Sequence, residues 1–395
     1  MANPATPALM NTYARSELAF ERGEGAYLIT AEGRRYLDFA SGIAVTALGH
    51  SHPHLVKTLT EQAQKLWHVS NLYRIPDQER LAERLVANSF AEQVFFGNSG
   101  AEAIECGLKL IRKWQDDFGD GNRYRVIACE GSFHGRTLAT LAAAGNEKYL
   151  KGYAPYVEGF DHVPFGNLNE LRQKIGPETA AVLVEPVQGE GGMRAGSVEY
   201  LRGLRQVCDE YGLLLMFDEV QCGMGRTGKL FAHEWAGITP DIVATAKGIG
   251  GGFPMGACLA TNRVAAAFGP GNHGTTFGGN PLAMAVGNAV LDVMLEPGFF
   301  DRVAKLGDYL SAKVDTLIRQ HPAIYAERRG KGLIQGVKCH VTNTDLVEKL
   351  RTHGLLTVGA ADNVIRLLPP LIITEAEIDA AVRHLAAAAQ EMKAA

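Results

Sequence analysis

Seven short runs of apolar or β-prone residues punctuate the middle of the chain, at Val94–Phe96, Tyr124–Cys129, Gly159–Val163, Ala180–Val184, Leu213–Phe217, Ile242–Thr245 and Gly256–Thr261. Most are separated by stretches with apolar residues at helical spacing, such as 101–116 and 198–211. A run that is apolar throughout suits a strand covered on both faces, as in a parallel sheet flanked by helices. The alternation therefore predicts an α/β fold with a doubly wound, mostly parallel, seven-stranded sheet. The flanks read differently. Residues 26–39 predict a small hairpin turning at Glu32 and Gly33, and helical spacing then runs over 55–66 and 77–88, the second opened by Pro76 and Asp77. Beyond Pro281, helices over 282–295 and 299–319 lead to β runs at Leu333–Lys338, Leu355–Val358 and Val364–Leu367 and a last helix over Glu375–Met392. The expected division is a large domain over 55–281 and a smaller α+β domain over 282–395 that also takes in the N-terminal segment 1–54.

Length and charge narrow the class without naming it. A chain of 395 residues can bury a large core around a deep site. Its formal net charge of -4, with no basic blocks, gives no footprint for nucleic acid or an anionic membrane surface. Six cysteines at 106, 129, 208, 222, 258 and 339 are scattered without zinc-site spacing, which fits a reducing cytosol and predicts no metal. The first residues, Met1–Tyr13, lack a leader pattern, and no run approaches the ~18 apolar residues of a membrane span. A cytoplasmic protein acting on small molecules is the expectation.

Chemistry concentrates where the apolar runs end. Leu213–Phe217 is followed by Asp218 and Glu219, and Ile242–Thr245 by Ala246 and Lys247. C-terminal strand ends form the ligand crevice of an open α/β sheet, so a carboxylate and an amine are offered to one place. Pyridoxal phosphate needs those two groups, a lysine for its aldehyde and an acid for its ring nitrogen, although a capping aspartate and a snorkelling lysine would look the same singly. Gly97, Asn98, Ser99, Gly100, Ala101 and Glu102 follow a strand and open a helix, with Ser-x-x-Glu capping spacing and small residues that leave N–H groups open to a phosphate; a plain helix start fits as well. Gly223, Gly225 and Gly228 spell the dinucleotide-binding glycine pattern, yet they follow a loop, no crossover helix comes after them, and Asp241 precedes its strand. His50, His52 and His54 lack accompanying acids or cysteines and read as a turn or helix entry. Phe133 and Arg136 follow another strand end, as do Glu185 and Glu190, and Gly274–Pro281 supplies hydroxyls before a helix.

Taken in order, Asn98-Ser99-Gly100-Ala101-Glu102, Phe133-His134-Gly135-Arg136, Glu185-Pro186-x-Gln188-Gly189-Glu190, Asp218-Glu219-Val220-Gln221, Ala246-Lys247-Gly248 and Thr276-Phe277-Gly278-Gly279-Asn280-Pro281 resemble the class III aminotransferases of pyridoxal-phosphate fold type I, from Gly42 to about Pro370. The resemblance implies pyridoxal 5'-phosphate as cofactor and a small domain built from both termini. It implies that Lys247 holds the cofactor's aldehyde and shuttles the substrate proton, that Asp218 pairs with the ring nitrogen, Gln221 with the phenolic oxygen, and that Phe133 stacks on the ring. Ser99, Gly100 and Ala101 would receive the phosphate, Glu185 belongs to the same cofactor set, and Thr276 would reach the phosphate from the neighbouring subunit of a homodimer. For small-molecule substrates the resemblance implies that Arg136 binds a carboxylate of N-acetylornithine and Arg366 that of 2-oxoglutarate, with Thr275 nearby and Glu190 as a switch on Arg366. Relatives acting on free ornithine carry a tyrosine where this chain has Gly42, which leaves room for an N-acyl donor, although succinylated diamines and 4-aminobutyrate stay open as alternatives. A catalytically silent relative is the non-enzyme alternative, against which intact Lys247, Asp218 and Arg366 weigh.

Overall fold

The computed structural model describes residues 8–394. Its centre is the expected sheet, with strands β1 (Gln93–Gly97), β2 (Arg125–Cys129), β3 (Phe160–Val163), β4 (Thr179–Val184), β5 (Leu214–Asp218), β6 (Ile242–Thr245) and β7 (Gly256–Ala260), in spatial order β1-β7-β6-β5-β4-β2-β3. β6, β5, β4, β2 and β3 run parallel, whereas β7 is antiparallel to both β6 and β1. Every residue of β4, β5 and β6 is buried, which is why these runs carry no polar alternation. Helix Gly100–Phe118 covers one face through Ala103, Ile104, Leu108 and Ile111, which pack in one cluster with Met216 and Ile242. Each buried leucine, isoleucine or methionine side chain taken from water stabilises the fold by about 1.5–3 kcal/mol.

The polar flanks form two further sheets. Strands Arg22–Glu24, Tyr27–Ile29 and Arg35–Asp38 are antiparallel neighbours, and Leu355–Leu356 joins them, pairing parallel with Leu37 and Asp38. The run 355–358, expected as one strand, is thus divided: Val358–Ala360 turns away to pair with Val364–Leu367 in a four-stranded antiparallel sheet with Ile334–Cys339 and Tyr325–Lys331. Main-chain bonds from Leu368 to Phe39 and from Leu371 to Ala47, both 2.7 Å, hold the two ends of the chain together.

The rival motifs have structural explanations. After Gly228 the chain enters a short 3-10 turn, Ala232–Ala236, with no crossover helix. Gly225 at φ +87° packs against Leu371 and Phe300, and buried Arg226 donates to the carbonyls of Pro369 and Leu333, so this loop mortars the central sheet to the C-terminal region. Asp241 is taken by Arg205 at 2.8 Å. His50 pairs with Asp38 and His54 with Asp292, each at 2.8 Å, in different surroundings. All six cysteines are unpaired and buried, and among the described residues no single helix is long and apolar enough to cross a membrane.

Candidate active site

β5 and β6 are parallel neighbours with Asp218 level with Ala244, so Lys247 emerges three residues further along the adjacent strand, above the same crevice. A cleft of about 440 Å³ opens there, lined by Asp218, Lys247, Gln221, Phe133 and the helix start at Ser99–Ala101. Asp218 is 3 % exposed, and a carboxylate so buried is costly unless hydrogen-bonded. One oxygen accepts from Val220 N–H at 3.0 Å and the other lies 2.8 Å from His134 Nδ1, which therefore carries the proton of that bond. His134 is itself buried, and its Nε2 has no partner among the described residues.

Lys247 begins a 3-10 turn and sits at φ +49°, a left-handed conformation that a non-glycine residue holds only where its surroundings enforce it. Burial pulls its ammonium down to about 8, with the charges of Glu190 and Asp218 opposing the effect. A larger share of neutral amine is thereby available at neutral pH, and the neutral amine is the nucleophile. Glu185 is buried with one oxygen accepting from Phe133 N–H at 3.2 Å. Burial first, and the Asp218 charge second, push Glu185 well above the usual carboxylate range, favouring its protonated form.

The helix start works as the sequence suggested, with one difference. Ser99 Oγ accepts from Glu102 N–H at 3.2 Å, whereas Glu102 reaches back past the cap to Asn98 N–H at 2.7 Å. The N–H groups of Gly100 and Ala101 have no acceptor among the described residues. Two glycines permit this cradle: a side chain on Gly256 would strike the Ser99 carbonyl at 2.2 Å, and one on Gly135, at φ +135°, would meet Ala101 at 2.8 Å. Gln221 also lines the cleft, its buried Oε1 without a partner among the described residues.

The two arginines are found in opposite states. Arg366, 2 % exposed, is clasped by Glu190 and donates to Gly359 O at 2.9 Å. Arg136, exposed at the cleft's edge, pairs with no carboxylate among the described residues and lies 3.8 Å over the Tyr149 ring. Thr275 and Thr276 do not line their own chain's cleft: Thr275 Oγ1 accepts from Gly278 N–H at 3.0 Å, and Thr276 is exposed. His134 and Tyr149 carried no assigned role in the sequence reading. A histidine inside a motif already read for its phenylalanine and arginine was the available signal for the first, and nothing in local spacing marks the second.

Lys247 and hydrogen-bonded Asp218 stand at neighbouring strand ends and line one cleft with Gly100 and Ala101, whose N–H groups are open, the set of groups that a pyridoxal-phosphate enzyme of fold type I requires. The chain belongs to the class-III aminotransferases, whose family pattern it matches over residues 10–389. It is 59 % identical to the acetylornithine aminotransferase of Brucella melitensis over 98 % of this chain and 96 % of that one. It is 55 % identical to the acetylornithine aminotransferase of Agrobacterium fabrum over 100 % and 98 %. Among solved structures, the acetylornithine aminotransferase of Elizabethkingia anophelis superposes with a TM-score of 0.86 at 33 % identity, covering 97 % of this chain and 96 % of that one. An ornithine aminotransferase of Toxoplasma gondii, described with partial occupancy of PLP at its active site, gives 0.93 at 29 % identity, covering 98 % and 93 %.

The residues present fit that cofactor. The open N–H pair of Gly100 and Ala101 suits its phosphate, Gln221 adds a polar side chain to the same cleft, and Asp218 and Lys247 offer a hydrogen-bonded carboxyl group and an amine.

Proposed function

We propose that the protein moves the terminal amino group of N2-acetyl-L-ornithine to 2-oxoglutarate, giving N-acetylglutamate 5-semialdehyde and L-glutamate, a reaction of arginine biosynthesis. The observation that carries the substrate reading is the contrast between the two arginines, one masked and one free. An N-acyl diamino acid would place its reacting amine beside Lys247, at the carbonyl that Lys247 would hold, and its remote carboxylate at Arg136, so it needs nothing from Arg366. The oxo acid must bring a carboxylate beside its reacting carbon, and Arg366 receives it once Glu190 turns aside. The names of the relatives at 55–59 % identity support the acetylated donor.

Bound in the cleft, pyridoxal phosphate supplies a carbonyl that amines can join and an electron-poor ring that accepts the electron pair left when a proton departs. Asp218, fixed by His134 and Val220, would offer its carboxylate to the ring nitrogen. Lys247 would take the proton from the substrate carbon bearing the nitrogen and would return it to the cofactor carbon that had been the carbonyl, a task suited to an amine whose pKa burial lowers to about 8. Phe133 would wall the ring, Gly100 and Ala101 would hold the phosphate together with Ser99, and Glu185, whose carboxyl burial pushes upward, lies in the same site.

Exposed Thr276, with Phe277, Leu72 and Trp67 exposed nearby in the chain's own surface, supports a homodimer in which Thr276 serves the neighbouring subunit's phosphate. Residues 55–281 then form the cofactor-binding unit and 1–54 with 282–395 the smaller one, a division supported by the pairing of Leu355 with Leu37. Six unpaired cysteines support a reducing, cytoplasmic setting.

A donor panel with 2-oxoglutarate as acceptor tests the assignment: N-acetylornithine, N-succinylornithine, succinyldiaminopimelate, ornithine and 4-aminobutyrate. The highest kcat/KM is expected for N-acetylornithine. A higher value for 4-aminobutyrate or free ornithine would sink the proposal.

A further inference from the structure

Arg136 rests on aromatic rings. Its guanidinium carbon lies 3.8 Å from the centre of the Tyr149 ring and 5.3 Å from that of Phe133, and the two rings meet edge to face at 6.4 Å. Tyr149 stands on a one-turn helix, Glu147–Leu150, whose entry is fixed by the Asn146 side chain accepting from Lys148 N–H at 3.1 Å. Among the described residues, no oxygen accepts from any Arg136 N–H. A guanidinium stacked on a ring is held through its flat face, so its in-plane donors all stay available. A carboxylate engages that planar edge with two parallel bonds. Without the ring beneath it, an exposed arginine would spread over many rotamers and meet the carboxylate in few of them.

We propose that Tyr149 is a specificity-determining residue: its ring seats Arg136 so that the fork faces the cleft, and this seat gives the enzyme its preference for amines bearing a carboxylate at the end remote from the reacting nitrogen. The inference rests on the reading of Arg136 as the donor's carboxylate site. Tyr149 touches neither reacting atoms nor cofactor in this role. It positions, and its signature is a change in KM and in donor preference with little change in kcat.

The test compares two donors on the cofactor-loaded enzyme, N-acetylornithine and N-acetyl-1,4-diaminobutane, which has the same chain and acyl group without the carboxylate. Tyr149→Leu should lower the kcat/KM ratio between them by roughly 2- to 30-fold, the range of a cation–π contact, through a raised KM for N-acetylornithine. Tyr149→Phe keeps the ring face and should hold the ratio within about 2-fold. Arg136→Ala should abolish the preference. An unchanged ratio in Tyr149→Leu, an equal loss with both donors, or a Phe variant as impaired as the Leu variant overturns the proposal. If Arg136→Ala destroys the preference while Tyr149→Leu keeps it, the role of Arg136 stands and that of Tyr149 falls; if Arg136→Ala keeps it, both fall.

Discussion

Removing the Glu190 carboxylate should make the enzyme accept glutamate more readily as a donor. Arg366 has a side chain 2 % exposed, and apart from Glu190 it has one acceptor, the Gly359 carbonyl, while its Nε has none among the described residues. Stripping one partner from a buried ion pair costs about 3–5 kcal/mol, because the remaining charge is left uncompensated. The Glu190 side chain is 28 % exposed, so water reaches part of the pair and about half that figure, ~1.5–2.5 kcal/mol, is the fitting expectation. In the intact enzyme an α-carboxylate must first displace Glu190; in Glu190→Ala the same carboxylate meets an unsatisfied cation and regains that energy. At 1.4 kcal/mol per tenfold, glutamate should gain roughly 10- to 60-fold over N-acetylornithine in kcat/KM. Glu190→Gln retains a neutral acceptor and should give a smaller gain, about 3- to 10-fold. Stopped-flow spectra of the cofactor band measure each donor's half-reaction separately. A donor ratio that stays put or moves toward N-acetylornithine would refute the switch. So would loss of the α-amino acid reaction in a folded Ala variant.

Three further outcomes follow from the site. In cofactor-free protein, Lys247 should react with an acylating reagent with a midpoint near pH 8, since burial disfavours its ammonium and brings the neutral amine forward as pH rises; a midpoint near 10.5 contradicts the site's electrostatics. Asp218→Asn should cut turnover by at least ~100-fold while cofactor affinity falls less, because shape is kept and charge is lost; unchanged turnover would assign ring protonation to another group. Lys247→Ala and Thr276→Ala, each defective alone at limiting cofactor, should recover activity when co-expressed, because in the proposed homodimer one site of a mixed pair has both residues intact. Absence of recovery in a purified mixed dimer argues that Thr276 acts within its own chain.

What the sequence made legible were features whose cause is local. Strands β4, β5 and β6 announce themselves because burial on both faces leaves no polar alternation, and their ends locate Asp218 and Lys247 without knowledge of the topology. Features made by contacts between distant segments were not legible. Strand Tyr325–Lys331 carries Glu327, Arg328, Arg329 and Lys331 because it lies at a sheet edge, and its charges hid it. The division of 355–360 between two sheets depends on partners some 300 residues away in one case and a few residues away in the other. The Asp218–His134 bond joins residues from different strand ends, and the seat of Arg136 on Tyr149 spans a helix and a turn.

The stitching of the chain's two ends has a consequence for how the molecule is made. All seven central strands, Lys247 and the helix start at Gly100 precede residue 261, whereas Leu355, Leu368 and Leu371, which bond to the segment 37–47, come near the end. On a ribosome adding about 5–20 residues per second, roughly a hundred residues separate the emergence of the complete central sheet from that of Arg366, a lag of about 5–20 s. During that interval the nascent chain holds Lys247, Asp218 and the open helix start at Gly100, while the N-terminal hairpin still waits for its fourth strand. The stretch around Arg366 emerges after the central sheet and bonds to the segment 37–47, so on the proposed role of Arg366 selectivity for the acceptor is acquired after the core is laid down.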